Sequence, residues 1–219
     1  MKDQSAAWDR WYGRRSGHWK GSPLPLPDLP PGSLVIDVGC GEGNTMLQAL
    51  ESGYRAVGMD ISTAAVVKAR ERLLSRGYEP DVRVADILKM GPDEERYDCV
   101  LLHHVLDNML QEERKRAVEI ACGMLAGGGF VSFQDLSVSD VRFGGGREIE
   151  NNTFLKGNGL VTHFFTTDEV RDLFRDMKEV ELEEVRWSQG EGTRRIVRGR
   201  IRGIFQSFPG TTRGSTSGA

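Results

Sequence analysis

The stretch VIDVGCGEGN at residues 35–44 constrains this chain more than any other. A short β-branched run, interrupted only by Asp37, leads straight into glycines at every second position, Gly39, Gly41 and Gly43. A dinucleotide-binding turn, G-x-G-x-x-G, places its third glycine one residue later, where it allows close packing of helix on strand. Asn44 holds that place here and reads as the cap of a following helix. The three glycines are then left to bring backbone amides and carbonyls close to a ligand.

Such a turn needs a domain to support it, and 219 residues make room for one sizeable α/β domain with attachments. From Ser33 onward, short apolar runs alternate with helical patterns: LVIDV, RAVGMD, DVRVAD, YDCVLLH and GGFVSFQD, with helices after Asn44, from Ser62 and over 111–125. This is the sign of a parallel sheet covered on both faces. Two alternating segments, EVELEEVRW and RRIVRGRIRGIFQ, complete seven strands as an antiparallel pair at the C-terminal edge. Before them, Thr166 and Glu169 read as a capping box, and Val170, Leu173, Phe174 and Met177 mark one helix face. The organisation expected is an aromatic helix and proline-rich connector over 1–32, the domain over 33–208, and a disordered tail over 209–219. Residues 137–162, rich in glycine and asparagine, read as a long loop insertion of the kind that forms lids or binding loops.

The formal charge of −3 gives no overall basic field, so nucleic-acid contact would depend on a local patch. Cys40, Cys99 and Cys122 lack the spacing of a zinc or redox motif and fit a reduced compartment. No apolar run reaches the length of a membrane span, and the first ten residues lack the apolar core of a signal peptide, so a cytoplasmic protein is expected.

Acids at the ends of the next two strands sharpen the ligand. Asp60 in GMDIS is placed to accept both hydroxyls of a ribose, a role shared by nicotinamide and adenosyl cofactors. Asp86 in VADIL ends the third strand at the same edge, where it can accept from an exocyclic amine such as that of adenine. Singly, each reads as an ordinary strand-end residue. Together with Asp37 they describe a site for a cationic adenosyl ligand, which S-adenosylmethionine is.

In order and spacing, VIDVGCGEGN, GMDIS, VADIL, YDCVLLHHVLDNM and GGFVSFQD resemble the motifs of class I S-adenosylmethionine-dependent methyltransferases, over most of residues 33–135. The resemblance implies an α/β, Rossmann-like, doubly wound and mostly parallel sheet. Beyond it, SFQDLSVSDVRFGGGREIENNTFLKGNGLVTHFFTTDEVRDLF and RGRIRGIFQ are similar to a narrower group, whose eukaryotic members form 3-methylcytidine in tRNA. WDRWY is similar to that group's W-x-x-x-Y opening, which implies that Trp8 and Tyr12 fold over the cofactor. The cofactor set is then Trp8, Tyr12, Asp37, Gly39, Gly41, Gly43, Asp60, Ile61, Asp86, Ile87 and His103. Two departures stand out: Gln134 replaces the arginine of the group's F-R-D-Y segment, and Val161 replaces another arginine.

Methyl transfer from a sulfonium mainly requires a nucleophile held in line, so neither a triad nor a metal cluster is expected. If the acceptor carries a proton, His104, Asp107 and Asp135 are the groups at the ligand edge to take it. His103 and His104 point to opposite sides of an extended chain and would not share a metal, and His163 is expected to pack. Arg194, Arg198, Arg200 and Arg202 share one strand face and read as a solvated edge that guards against strand pairing. The acidic balance and the two lost arginines favour a small-molecule acceptor, with tRNA as the alternative and a non-catalytic adenosyl-binding subunit as a further one.

Overall fold

The computed structural model describes residues 4–14, 26–91, 96–189 and 196–209. The expected disordered tail beyond Pro209, Arg194 and much of the connector lie outside them. Chain order gives α1 (Ser5–Gly13), β1 (Leu34–Val38), α2 (Asn44–Glu51), β2 (Arg55–Asp60), α3 (Thr63–Ser75), β3 (Val82–Val84), β4 (Tyr97–His103), α4 (Gln111–Gly123) and β5 (Leu125–Leu136). There follow β6 (Arg147–Glu150), β7 (Thr153–Leu155), β8 (Val161–His163), α5 (Thr167–Leu173), β9 (Lys178–Gln189) and β10 (Ile196–Gln206).

Seven strands form one sheet in the order β3-β2-β1-β4-β5-β10-β9. The first five pair in parallel, and β10 runs antiparallel to both neighbours. This is the Rossmann-like, doubly wound α/β architecture expected, with its antiparallel pair at the C-terminal edge. β9, however, takes the outer position. The β10 arginines therefore do not guard an edge, because their strand is hydrogen-bonded on both sides.

Alternation along the strands divides the core. Ile36, Val38, Val100, Leu102, Val131 and Phe133 join the cluster that includes Ala117 and Val118 of α4 and Val170 of α5. There Phe133 meets Phe165 edge-on at 5.3 Å, and Phe174 stacks on Phe205 at 4.3 Å. Val35, Cys99 and Leu101 face the other way, under Leu29 of the connector. Met46 and Leu47 of α2 pack with Val66, Ala69 and Leu73 of α3.

Caps set where the helices begin. Ser62 Oγ accepts the Ala65 N–H at 3.1 Å, and Thr166 Oγ1 accepts the Glu169 N–H at 3.2 Å. Asn44 is not a cap: Gly43, with φ of 75°, holds that position, and Asn44 is the first helical residue. The left-handed turn closes one residue earlier than the side chain preference of Asn44 implied.

The expected loop over 137–162 is largely ordered. β6, β7 and β8 form a separate antiparallel sheet of three strands. Asn152, with φ of 57°, makes the tight turn between β6 and β7, a conformation asparagine tolerates. Phe143, Phe154 and Phe164 meet edge-to-face with centroids 5.4, 5.5 and 5.9 Å apart, giving the small sheet its own apolar wall.

Candidate active site at the carboxyl edge of the sheet

Strand order reverses between β1 and β4, and in open α/β sheets the crevice at such a point takes the ligand. The loops after β1, β2, β3 and β4 meet there around a cavity of about 340 Å³. Of the residues expected at a cofactor, Trp8, Tyr12, Gly39, Asp60, Ile61, Asp86 and Ile87 line it, and so does His104. Asp37, Gly41 and Gly43 are not on its wall, and His103 lines a different cavity.

The glycine turn is tight for identifiable reasons. Gly39 and Gly41 have φ of +68° and +53°; a Cβ would lie 2.8 Å from Val105 Cγ2 at the first and 2.7 Å from the Tyr12 hydroxyl at the second. Asp60 ties this turn to the next: its Oδ2 accepts the Gly41 N–H at 2.9 Å and its Oδ1 the Ser62 N–H at 2.8 Å. Burial raises the Asp60 carboxyl above its usual range. Asp37, one of whose oxygens has no hydrogen-bond partner, is pushed up to about 8 by burial and then by the charge of Asp60. Asp86 is partly the ordinary cap that its position suggested, since its Oδ1 accepts the Leu88 N–H at 3.0 Å.

α1 forms one wall of the cavity. Asp9 Oδ1 accepts from Ser62 Oγ at 2.6 Å and from the Ala64 N–H at 3.1 Å, while Lys68 Nζ donates to the Tyr12 carbonyl at 2.7 Å. At the other end of the helix, Gln4 Nε2 donates to the Asn108 carbonyl at 2.7 Å. Sequence reasoning missed Asp9 and Gln4. Asp9 sits inside the WDRWY stretch, between the two aromatics that drew attention.

His104, Asp107 and Asp135 do come together. His104 follows β4 with φ of 58°, uncommon for a side-chain-bearing residue and typical of functional sites. Its Nδ1 lies 3.5 Å from Asp107 Oδ2 and 3.7 Å from Asp135 Oδ1. Asp135 is fully buried; burial first, and then the charge of Asp107, hold its carboxyl well above the usual range. Of the three, only His104 reaches the cavity wall.

His103 points to the opposite face, as alternation along β4 requires. Its Nε2 is 2.9 Å from Ser132 Oγ in a second cavity of about 460 Å³, shared with Gln134 and Arg202. Burial, followed by His104 and Arg202, pushes it down to about 3, so the ring is neutral. His163 packs as expected, edge-on to Phe165 at 4.4 Å and 2.9 Å from Glu169 Oε2.

Beside the His104 group lies a concentration of cations. Buried Asp140 accepts from Arg142 Nε at 2.6 Å and from the Gly199 N–H at 3.1 Å, with Arg198 3.9 Å away. The Arg200 guanidinium lies 5.1 Å from the Trp187 ring centre, and Lys156 Nζ 5.4 Å from that of Phe164. Burial, and next the charge of Arg142, lower both Arg200 and Lys156, and Arg200 in turn acts on Asp135. No helix among the described residues is long and apolar enough to cross a membrane.

Comparison with known proteins agrees with this geometry. Residues 35–129 match the family described as a methyltransferase domain. A fruit-fly protein, Drosophila melanogaster tRNA N(3)-methylcytidine methyltransferase Mettl2, is 26% identical over 92% of this chain and 68% of its own length. The zebrafish (Danio rerio) tRNA N(3)-cytidine methyltransferase METTL2 is 28% identical over 68% of this chain, which spans 47% of it. The fission-yeast (Schizosaccharomyces pombe) tRNA N(3)-methylcytidine methyltransferase trm140 is 23% identical over 76% of this chain and 62% of its own length. Among solved structures, an S-adenosylmethionine-dependent methyltransferase of Methanosarcina mazei superposes with a TM-score of 0.68 at 19% identity, covering 83% of this chain and 95% of that one. The N-methyltransferase NodS of Bradyrhizobium japonicum, crystallised with S-adenosylhomocysteine, gives 0.59 at 20% identity over 81% and 79%.

Proposed function

We propose that this chain, an S-adenosylmethionine-dependent methyltransferase, methylates a ring nitrogen of a nucleobase in RNA, with tRNA cytidine as the leading acceptor. The observation that carries the reading is the cation concentration of Arg142, Lys156, Arg198 and Arg200 beside the His104 group, in a chain whose net charge is −3. Such a patch suits phosphates, and the exposed Phe143 and Trp187 next to it offer faces on which bases stack. The names of the relatives support the same class of acceptor.

In this reading the carboxylate of Asp60, already aimed by Gly41 and Ser62, accepts from the ribose hydroxyls of the cofactor. Asp86 and Ile87 hold the adenine, Gly39 lets the backbone approach, and Trp8 and Tyr12 exclude water. S-adenosylmethionine supplies an electrophilic methyl group. The chain then has to orient the acceptor and keep the site dry. A cytosine ring nitrogen bears its own lone pair, so this acceptor needs no proton removed beforehand, which fits an acid pair set behind His104 rather than on the cavity wall.

A small-molecule acceptor is the second reading, favoured by the acidic balance and by Gln134 and Val161 standing where the tRNA-modifying group has arginines. Incubation with methyl-labelled cofactor and either total tRNA or a small-metabolite extract separates the two. The RNA reading expects label in tRNA, recovered as a methylated cytidine after nuclease digestion. Label confined to the metabolite extract would overturn it.

A further inference from the structure

A hydrogen-bonded chain crosses the sheet between the two cavities. Arg202 and Gln134 are direct partners in the β5–β10 ladder, and Arg202 Nε donates to Gln134 Oε1 at 2.8 Å. A guanidinium has donors only, so it fixes the amide with its oxygen toward Arg202 and its NH2 group away. That NH2 nitrogen lies 3.3 Å from His104 Nε2, which must then accept. A neutral imidazole that accepts at Nε2 carries its proton on Nδ1, here facing Asp107 Oδ2 and Asp135 Oδ1 at 3.5 and 3.7 Å. This assignment leaves Nδ1 no lone pair for a metal ion among these three side chains.

We infer that Arg202, acting through Gln134, is a positioning residue that fixes the His104 ring with Nε2 accepting from the amide and Nδ1–H toward Asp107 at the wall of the cofactor cavity. The inference rests on the cofactor reading above. Here an Nε2–H would point at the amide NH2, donor against donor, so the geometry favours the ring form with Nε2 bare. The gain is electrostatic: a sulfonium is a cation, and an imidazolium on the same wall would repel it.

The groups that set this balance come from every side. Asp107 faces His104 from the turn after β4 and Asp135 from β5, Arg200 of β10 acts on both carboxyls, and His103 precedes it on β4. Asp86, Lys89 and Glu113 share the cavity wall with it. Arg202 itself lines the second cavity, on the far side of Gln134, so its effect on the cofactor passes through that amide.

The test reads the imidazole directly. Nitrogen-15 correlation spectra of the full chain, with His104 assigned by loss of its signals in His104→Gln, are expected to show the Nδ1–H tautomer. Gln134→Glu replaces the opposing donor with an acceptor and should convert His104 to a form carrying a proton on Nε2. Its S-adenosylmethionine affinity, measured by calorimetry, should be about tenfold weaker at pH 6 than that of the parent and recover by pH 8. Arg202→Met, at a partly exposed side chain, frees the amide to turn and should give a mixed tautomer with a smaller change of the same sign, even if Gln134→Glu fails to fold. An Nε2–H tautomer in the parent, or a parent-like tautomer and pH profile in Arg202→Met, would overturn the inference. The expected tautomer in a parent that does not bind S-adenosylmethionine would instead sink the cofactor reading and leave the positioning role standing.

Discussion

Asp60 takes its hydrogen bonds from the backbone of Gly41 and Ser62, at 2.9 and 2.8 Å, whereas His104 meets the side chains of Asp107, Asp135 and Gln134 at 3.3 to 3.7 Å. The first region is made from turns within a stretch of about twenty residues, and backbone amides are supplied by any sequence that can make the turn. The second is assembled by β4, β5 and β10: Asp107 stands three residues from His104 in the turn after β4, whereas Asp135 and Gln134 reach it only in the finished sheet. A ligand common to a whole fold can be met by the first kind of construction. Choice among acceptors needs the second.

The largest effect expected from breaking this comparison is on the backbone-built side. Asp60→Ala removes two charge-assisted hydrogen bonds of about 1.5 kcal/mol each, so cofactor affinity should fall roughly a hundredfold by calorimetry. An unchanged affinity in a folded variant would remove Asp60 from the site.

On the side-chain-built side, Arg142→Ala with Arg200→Ala should leave cofactor binding intact and lower tRNA affinity by about tenfold at low salt. The slope of log affinity against log salt should become shallower by roughly 1.4, at about 0.7 for each single-strand phosphate released. A salt dependence equal to that of the parent would show that the patch does not meet phosphate.

The α1 wall lies between the two constructions. Trp8→Ala with Tyr12→Ala should weaken cofactor binding by up to about tenfold, from roughly 1.5 kcal/mol of lost apolar contact, without lowering the melting temperature. Full affinity in that variant would mean that α1 does not close on the ligand.

Stability rather than affinity reads Asp37, whose folded-state carboxyl is raised from 3.8 to about 8. Between those values the folded chain holds the proton more tightly than the unfolded one, so parent stability falls as pH rises toward 8. Asp37→Asn lacks this loss. Its melting temperature should gain on the parent between pH 5 and pH 9, by roughly 2–4 °C for each kcal/mol recovered. A gap independent of pH would show that Asp37 is ionised throughout.

How much of this was legible in the sequence follows the same division. The order of strands and helices, the glycine turn and the positions of Asp60 and Asp86 were readable because periodicity and turn chemistry are local. The trio of His104, Asp107 and Asp135 was named from its place at the strand ends, but its contacts could not be read. His103, expected at the cofactor, lines the second cavity instead, since a one-residue step along β4 reverses direction. The segment over 137–162 read as a loop because β7 and β8 are only three residues each, too short for a period to show. That the β10 arginines lie on an inner strand depended on β9 taking the outer position, a fact of topology with no local signal.

The bonds that fasten α1 lie away from the cavity it walls. Asp9 is held by the Ser62 hydroxyl and the Ala64 amide, and Lys68 grips the same helix at the Tyr12 carbonyl. Were a ligand to enter or leave the cavity past α1, these bonds would have to open and re-form. The fastening sits at the start of α3 and off the cavity wall, so Asp9→Ala is expected to change how fast a ligand exchanges while leaving the cavity lining intact.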